Sequence, residues 1–266
     1  MTSLVSKQNI KDLNDNGFVH LKSILTKNEI DLIDDAIQSN INSPSPFARN
    51  FNQENNSSSF FMDFNNWMRL PLIENICRLS KLINIVTKLT GSKKCWLFHD
   101  HVLVKSGNAI PTPVHHDRPY HIFKGNLNCS IWIPVGDVER KSSLIFYKSS
   151  HKTGKLFLPK AFIDGKNIGS DKLNFTNLDT FDINKYEATD FEMTSGDAIV
   201  FFNNCLHSSY RHRSNNERRA LSIRYLLDGV SLTKKYVNAT PPFDRTGIKI
   251  IEDCEVPESH FPLLKE

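Results

Sequence analysis

The sequence predicts a mainly β protein with flanking helices. Apolar residues recur at helical spacing in two stretches before residue 92, whereas from Cys95 onward short apolar runs alternate with clusters of turn residues. Short strands that follow a helical portion suggest a double-stranded β-helix, the cupin-like jelly roll. We therefore expect a single domain over residues 1–266. It has a helical portion at about 1–92 packed outside a barrel at about 93–228, and a C-terminal tail at about 229–266.

The composition is that of an ordinary globular protein. Of the 266 residues, 39% are hydrophobic and 23% are charged, and the net charge is +4. This modest charge is spread along the chain, so it argues weakly for an anionic ligand and not for nucleic acid. The five cysteines show no paired spacing and predict reduced structural thiols. Without a secretory signal or an apolar run of roughly 20 residues, we expect no membrane association and a cytoplasmic location.

The helical portion is marked by capping signals and apolar spacing. Residues 17–21 predict a short strand, and Thr26 with Glu29 then forms a capping-box pattern at the start of a helix. A second helical region is predicted over residues 71–90, with Gly91 as its stop.

Two polar stretches predict long loops. Residues 41–60 are dense in Asn, Ser and Pro, so they form either a lid or a disordered surface insertion. Residues 152–190 are rich in Lys, Asp and Asn and join the two halves of the barrel, where we expect them to influence substrate choice.

His115 and Asp117 predict a metal site. In an extended strand these two side chains share one face, whereas His116 points to the other, which favours His115 over His116 as a ligand. One imidazole and one carboxylate are two thirds of the facial triad that holds Fe(II). The best third ligand is His207, which follows a turn and a strand of the buried type. His99 and His101 also alternate on one strand, but they read better as histidines that line a pocket.

A basic residue that follows His207 in the sequence is a candidate for binding a carboxylate. Arg218 comes eleven positions later and offers the rigid, two-pronged donor that suits a carboxylate. The ordered set of His115, Asp117, His207 and Arg218 resembles the phytanoyl-CoA dioxygenase family of Fe(II)/2-oxoglutarate oxygenases. Flanking motifs match as well, and they are Thr-Pro-Val-His-His-Asp-Arg-Pro-Tyr at 112–120, Trp-Ile-Pro-Val at 132–135 and Ser-Ser-His-Lys at 149–152. The resemblance covers about residues 17–225.

The resemblance implies a site for iron, 2-oxoglutarate and O2. His115, Asp117 and His207 would hold Fe(II), and Arg218 with Ser209 would bind the distal carboxylate of 2-oxoglutarate. Arg219 and Arg224 remain alternatives to Arg218, because the strand register is not fixed by sequence. Two further co-substrate contacts are expected, and they are Lys105 and Trp132. Since Asp117 is present, the resemblance implies hydroxylation with release of succinate and CO2.

The substrate is expected to be a small organic molecule, either a polar metabolite or an acyl-CoA. Candidate substrate contacts are His101, Arg118, Tyr120 and Asn128. Basic residues near the expected mouth of the barrel suit an anionic group, and they are Lys105, Arg118 and Arg211. The alternative function is a cupin-like metal-dependent binding protein, or an inactive family member, that does not turn over 2-oxoglutarate. The oligomeric state stays open.

Overall fold

The computed structural model of the protein describes residues 4–52, 58–125, 128–168, 175–214, 216–234 and 251–266. Its helices are α1 (Lys7–Asn16), α2 (Lys27–Asn42), α3 (Pro71–Cys77) and α4 (Ser80–Thr90). Its strands are β1 (Phe18–Leu21), β2 (Arg49–Asn52), β3 (Ser59–Phe64), β4 (Cys95–Ser106), β5 (Thr112–His115), β6 (Phe123–Lys124), β7 (Cys129–Val135), β8 (Leu144–Tyr147), β9 (Ala188–Asp190), β10 (Ala198–Phe202), β11 (His207–Ser209), β12 (Arg218–Leu227), β13 (Ser231–Leu232) and β14 (Leu263–Lys265).

Two antiparallel sheets form the barrel. The larger has the strand order β1-β10-β7-β12-β4-β3-β2, with β14 also paired to β4, and the smaller has the order β5-β11-β8-β9. Strands β6 and β13 pair separately. Trp132 and Phe201 of the larger sheet pack with Leu144 and Phe146 of the smaller one in a shared apolar core. Two sheets that enclose such a core form a jelly roll, so the predicted fold class is confirmed.

The helices cover the outer face of the larger sheet. Successive side chains of a strand point to opposite faces, so Leu221 and Ile223 of β12 enter the core that the four helices share with the sheet. Ser222 and Arg224 point inward instead and line a cavity inside the barrel. The predicted position of the helices outside the barrel is confirmed, and it leaves the inner face of β12 free for a functional site.

Local signals set the helix ends. The Thr26 hydroxyl accepts the backbone N–H of Glu29, and the Glu29 carboxylate accepts the backbone N–H of Thr26, so the predicted capping box is present. Gly91 ends α4 in the left-handed conformation at φ 72°. The single helix predicted over 71–90 is wrong in one respect. Leu79 has extended backbone with ψ 115°, which interrupts the helical hydrogen bonds and divides the region into α3 and α4.

The loop predicted over residues 41–60 is also wrong in part. Helix α2 continues to Asn42, and β2 pairs with β3 at the edge of the larger sheet, next to β4. Phe60 and Met62 are buried on alternate positions of β3, where they pack with Phe51 of β2. These few apolar residues are enough to attach the segment to the sheet. Residues 53–57 lie outside the described part of the chain.

Three smaller expectations concern the rest of the chain. All five cysteines are free thiols, as predicted. In the C-terminal tail, β14 pairs with β4, while residues 235–250 lie outside the described part. Across the described ranges, no helix has the length and apolar character needed to cross a membrane.

Candidate metal centre and cavity

His115, Asp117 and His207 come together inside the barrel. His115 ends β5 and His207 begins β11, and the two residues are direct partners in the antiparallel ladder. Asp117 follows β5, and its Oδ1 lies 3.7 Å from Nε2 of His115 and 3.8 Å from Nε2 of His207. One ligand atom from each side chain lies within 4.8 Å of the others, and all three residues are buried. These distances suit three ligands of a single metal ion.

Backbone carbonyls orient both imidazoles. Nδ1 of His115 lies 2.8 Å from the carbonyl oxygen of Pro113, and Nδ1 of His207 lies 3.0 Å from that of Cys205. Each Nδ1 therefore carries the proton that it donates, and each Nε2 presents its lone pair to the centre. Burial lowers the pKa of His115 to about 3 and also lowers the pKa of His207. Both rings are neutral at physiological pH, which is the form that binds metal.

Arg224 fixes the carboxylate. Its Nη2 and Nε lie 3.2 and 3.3 Å from Oδ2 of Asp117, the oxygen that faces away from the two imidazoles. Burial opposes ionisation of Asp117, but the charge of Arg224 and the nearby histidines outweigh it and hold the pKa of Asp117 well below its usual range. One oxygen of Asp117 is thus engaged by Arg224, and Oδ1 is left as the ligand atom.

His116 lies outside this centre. Its Nε2 accepts the backbone N–H of Phe157 at 3.0 Å, and its ring packs edge-on against that of Phe157. The structure therefore brings His115, and not His116, to the candidate metal centre, as predicted. The predicted extended strand ends at His115, however, and Asp117 reaches the centre from the turn that follows.

The triad opens onto a cavity of about 480 Å³, a volume that includes its open mouth. Its walls are largely apolar and aromatic around a few polar groups, as in most small-molecule sites. The lining residues beside the triad are Phe60, His101, Leu103, Thr112, Trp132, Leu144, Phe162, Phe201, Ser208, Arg218, Ser222 and Arg224. Phe162 packs edge-on against the His115 ring, with centroids 4.8 Å apart.

Arg218 lies at one end of this cavity. Its guanidinium sits 5.7 Å above the centroid of Trp132, and its Nη1 donates to the carbonyl oxygen of Ser142 at 2.5 Å. Nε of Arg218 and Nε1 of Trp132 are buried without a hydrogen-bond partner among the described residues. Burial lowers the pKa of Arg218 to about 10, so the group keeps its charge at neutral pH. A buried guanidinium with a spare donor suits a carboxylate ligand.

Lys105 and Ser209 lie next to the cavity. Lys105 is the β4 partner of Arg218, and its Nζ donates to the carbonyl oxygen of Ile110 and to the hydroxyls of Thr112 and Ser209. Burial, together with the nearby charge of Arg218, lowers the pKa of Lys105 well below its usual range. Among the described residues, no carboxylate forms an ion pair with Lys105 or Arg218. This end of the cavity therefore favours an anion.

The two alternatives to Arg218 are placed differently. Arg219 points to the outer face of the sheet, where its Nη1 lies 2.7 Å from Oδ1 of Asp34 on α2. Arg224 lines the cavity but is engaged by Asp117. Of the three arginines, Arg218 is the one that faces the cavity with no carboxylate bound in the described part of the protein.

One of the four candidate substrate residues lines the cavity, and the other three do not line it in the described part of the protein. His101 lines the cavity, but Arg118, Tyr120 and Asn128 are not among the described residues that line it. The Tyr120 hydroxyl donates to the carbonyl oxygen of Lys160, and the Asn128 carbonyl accepts the backbone N–H of Asn203. The predicted roles of these three residues stay predictions.

Sequence reasoning missed Ser222 and Phe162 as lining residues, and it weighed Arg224 only as an alternative to Arg218. Arg218, Ser222 and Arg224 occupy alternate positions of one strand, so the period of two along residues 218–224 was the available signal. Phe162 carried no comparable signal, because it lies in an irregular polar segment.

The residues present fit Fe(II) and a dicarboxylate. Two neutral imidazoles and one carboxylate that offers a single oxygen form the donor set of non-haem Fe(II) oxygenases, which leaves other metal positions open. The buried guanidinium of Arg218 lies at one end of the same cavity with its Nε unpaired among the described residues, and Lys105 lies beside it, next to the cavity-lining Thr112.

Several solved structures are similar to this chain. The α-ketoglutarate-dependent carbocyclase SnoK from nogalamycin biosynthesis is 14% identical, with a TM-score of 0.76 over 97% of this chain and 96% of that chain. The epimerase SnoN, in complex with Fe3+, α-ketoglutarate and nogalamycin RO, is 15% identical, with a TM-score of 0.77 over 97% and 98%. EvdO2 from Micromonospora carbonacea var. aurantiaca, complexed with 2-oxoglutarate, is 14% identical, with a TM-score of 0.65 over 88% and 95%.

At these identities the similarity shows a shared fold. Comparison with curated protein sequences finds no match. The model of the phytanoyl-CoA dioxygenase (PhyH) family matches residues 13–220, which is most of the chain and includes the whole metal centre and Arg218. The chain therefore belongs to the phytanoyl-CoA dioxygenase family of Fe(II)/2-oxoglutarate oxygenases.

Proposed function

We propose that the protein is an Fe(II)- and 2-oxoglutarate-dependent dioxygenase that hydroxylates a small organic molecule. The observation that carries this proposal is the placement of two sites in one cavity. The triad of His115, Asp117 and His207 supplies the ligands for iron, and Arg218 offers a buried guanidinium without a carboxylate partner among the described residues.

Each part of the site has its own role. His115, Asp117 and His207 would hold Fe(II), and Arg218 would bind the distal carboxylate of 2-oxoglutarate. Trp132 orients Arg218 through its ring, and Lys105 lies beside Arg218 with its Nζ hydrogen-bonded to the hydroxyl of Ser209. The bound iron, 2-oxoglutarate and O2 supply the oxidising chemistry, with succinate and CO2 as products.

The apolar walls protect this chemistry. Phe60, Phe162 and Phe201 surround the polar groups and keep water away from the reacting atoms. The similar structures include a carbocyclase and an epimerase, so the shared fold serves more than one oxidative outcome. We propose hydroxylation over halogenation because Asp117 would fill the metal position that halogenating relatives leave open for chloride.

The substrate is proposed to be a polar metabolite and not the hydrocarbon chain of an acyl-CoA. Ser222, His101 and Arg224 are buried in the cavity wall with polar atoms that have no hydrogen-bond partner in the described ranges. A hydrocarbon chain would leave those atoms unpaired, which is costly in a buried site.

The cytoplasmic location and the single domain stay predictions.

An anaerobic titration tests this function. Fe(II) and 2-oxoglutarate are added to the wild-type protein, to Arg218→Ala and to Arg219→Ala, and the metal-to-ligand charge-transfer band is followed in the visible. We expect the band in the wild type and in Arg219→Ala, and a band that requires far more 2-oxoglutarate in Arg218→Ala. If iron binds and no band forms, a metal-dependent binding protein replaces the oxygenase.

A second step tests turnover. Once the band is present, release of succinate is measured with a panel of polar metabolites and acyl-CoA thioesters under air. A hydroxylated product accompanied by an equal amount of succinate supports the proposal. A rearranged or epimerised product in its place would contradict hydroxylation while leaving the cofactors established.

A further inference from the structure

The guanidinium of Arg224 has more N–H donors than its contact with Asp117 uses. Its Nε and Nη2 both approach a single atom, Oδ2 of Asp117. Its Nη1 is buried and has no hydrogen-bond partner among the described residues, although the side chain lines the cavity. Buried donors are almost always satisfied in folded proteins, so this atom marks a place for an acceptor that the chain itself does not supply.

Two neighbouring side chains share this property. Ser222 lies two residues before Arg224 on the same face of β12, and its partner on β4 is His101. The Ser222 hydroxyl and both ring nitrogens of His101 lack hydrogen-bond partners within the described ranges. The exposed fractions of Ser222, His101 and Arg224 are only 2%, 4% and 7%, so bulk water does not replace the missing partners. These three residues form the Arg224–Ser222–His101 cluster.

The cluster is separate from the end of the cavity assigned to 2-oxoglutarate. Arg218 and Arg224 are six positions apart on one strand face, with Ser222 between them. The cluster adjoins the triad through the contact of Arg224 with Asp117. It therefore lies beside the triad in the same cavity, where it can contact a substrate held near the metal.

The charges in and beside the cavity favour an anion at the cluster. The buried arginines of the cavity are Arg218 and Arg224, and among the described residues Asp117 is the one buried carboxylate that pairs with either of them. Under the proposed function, a ferrous ion and the 2-oxoglutarate dianion neutralise each other. The buried site then keeps a net positive charge, which solvent screens poorly.

We propose that the Arg224–Ser222–His101 cluster is the substrate-anchoring subsite and that it binds a carboxylate or a similar oxyanion of the substrate. Nη1 of Arg224 and the Ser222 hydroxyl donate to the anion, and His101 donates from one ring nitrogen. This inference rests on the proposed function and names the chemical class of its substrate.

The cluster replaces the basic residues that the sequence suggested for this role. All three donors of Lys105 are used within the protein, Arg118 is not among the described lining residues, and Arg211 donates to the carbonyl oxygen of Asn108.

Calorimetry on the loaded protein tests the subsite. The anaerobic complex with Fe(II) and saturating 2-oxoglutarate is titrated with propionate and benzoate, and separately with propionamide and benzamide. We expect at least one acid to bind about tenfold more tightly than its amide. The charge-transfer band is recorded throughout, and its persistence shows that the acid has not displaced 2-oxoglutarate.

Matched variants localise the binding. Ser222→Ala removes one donor and leaves the contact of Arg224 with Asp117 in place, and Arg224→Lys keeps a cation for Asp117 but loses the second prong. We expect either change to weaken acid binding about fivefold to tenfold, with little change for the amide. Arg219→Gln removes a cation from the outer face of the same strand and should leave both affinities unchanged.

The outcomes separate the two proposals. If the band forms in the wild type and no acid binds better than its amide, the subsite is wrong and the oxygenase stands. Acid binding that persists unchanged in Ser222→Ala and in Arg224→Lys also overturns the subsite. If iron binds and the band never forms, the proposed function fails and the subsite fails with it.

Discussion

His115 and His207 are direct partners across the β5–β11 ladder, and their ring centroids lie 4.3 Å apart. Two of the three candidate metal ligands are thus held by a single strand pair of the smaller sheet. Asp117 comes from the turn after β5 and is held from the larger sheet by Arg224. The metal centre therefore joins the two sheets of the barrel.

Substitution of each histidine in turn should show which of His115 and His116 binds the metal. His115→Ala removes Nε2 from the centre, so we expect Fe(II) or Ni(II) binding to be lost or weakened by more than about a hundredfold. The control is His116→Gln, whose side-chain oxygen can still accept the Phe157 N–H and which should keep metal affinity. Competition with a chromophoric chelator measures both, and equal losses in the two variants would contradict the assignment.

Loss of the guanidinium behind Asp117 should weaken the metal centre. Arg224→Gln leaves Oδ2 of Asp117 without its ion pair and with only the Ser130 hydroxyl at 3.4 Å, so we expect metal affinity to fall about tenfold to a hundredfold. The matched control is Arg219→Gln on the opposite face, for which no change is expected. Chelator competition is again the measurement, and an unchanged affinity in Arg224→Gln would show that Asp117 is held by other contacts.

Asp197 should contribute a pH-dependent part of the stability. Its carboxylate accepts the backbone N–H groups of Ser23 and Thr194 and contacts Nε2 of His20 at 2.9 Å. Burial opposes ionisation, but these hydrogen bonds outweigh it and lower the pKa of Asp197. A lowered pKa in the folded state means that the stabilisation is complete above the unfolded pKa and is lost as the pH falls through the folded one.

The variant Asp197→Asn tests this. At pH 7 we expect it to lower the free energy of unfolding by about 1–2 kcal/mol, and we expect the difference from wild type to shrink below about pH 4. Urea unfolding at a series of pH values measures the difference. If the difference in the free energy of unfolding stays constant down to pH 3, the variant loses stability because its side chain fits differently and not because it lacks the charge.

Two glycines with positive φ should respond unequally to alanine. A Cβ on Gly196, at φ 96°, would lie 2.6 Å from the carbonyl oxygen of Leu25, whereas a Cβ on Gly91, at φ 72°, would meet no atom within 4 Å. We expect Gly91→Ala to cost about 1 kcal/mol of stability and Gly196→Ala about 3 kcal/mol, because only the second forces the backbone apart. Urea denaturation ranks the two, and equal costs would contradict the close approach.

The sequence was sufficient where a local rule decided the outcome. The alternation expected of an extended strand favoured His115 over His116, although β5 ends at His115. A capping box placed the start of α2, and turn-separated strands predicted the jelly roll. The ordered spacing of ligands predicted which distant residues would meet. The alternation and the capping box are each encoded in a few neighbouring positions, so they can be recognised without the tertiary structure, whereas the ordered set of ligands was recognised through its resemblance to a known family.

Long-range packing decided what the sequence could not. Strand β2 has a single apolar residue, Phe51, and it joins the larger sheet because Phe51 packs with Phe60 and Met62 of β3. The choice among Arg218, Arg219 and Arg224 depended on register and on distant partners, namely Asp34 on α2 and Asp117 after β5. Arg118 and Tyr120 follow the metal motif closely, yet the chain turns there and they are not among the described lining residues.

Phe162 belongs to neither sheet, yet it packs on His115, a candidate metal ligand. The wall that a substrate touches is therefore built partly from a segment that carries none of the metal ligands. One part of the cavity wall is thus encoded apart from the candidate metal ligands, whereas Ser222 and Arg224 share a strand with Arg218. Replacement of residues 155–168 by a different segment would change this part of the cavity wall and leave the candidate metal ligands in place, which offers a route to altered substrate selectivity.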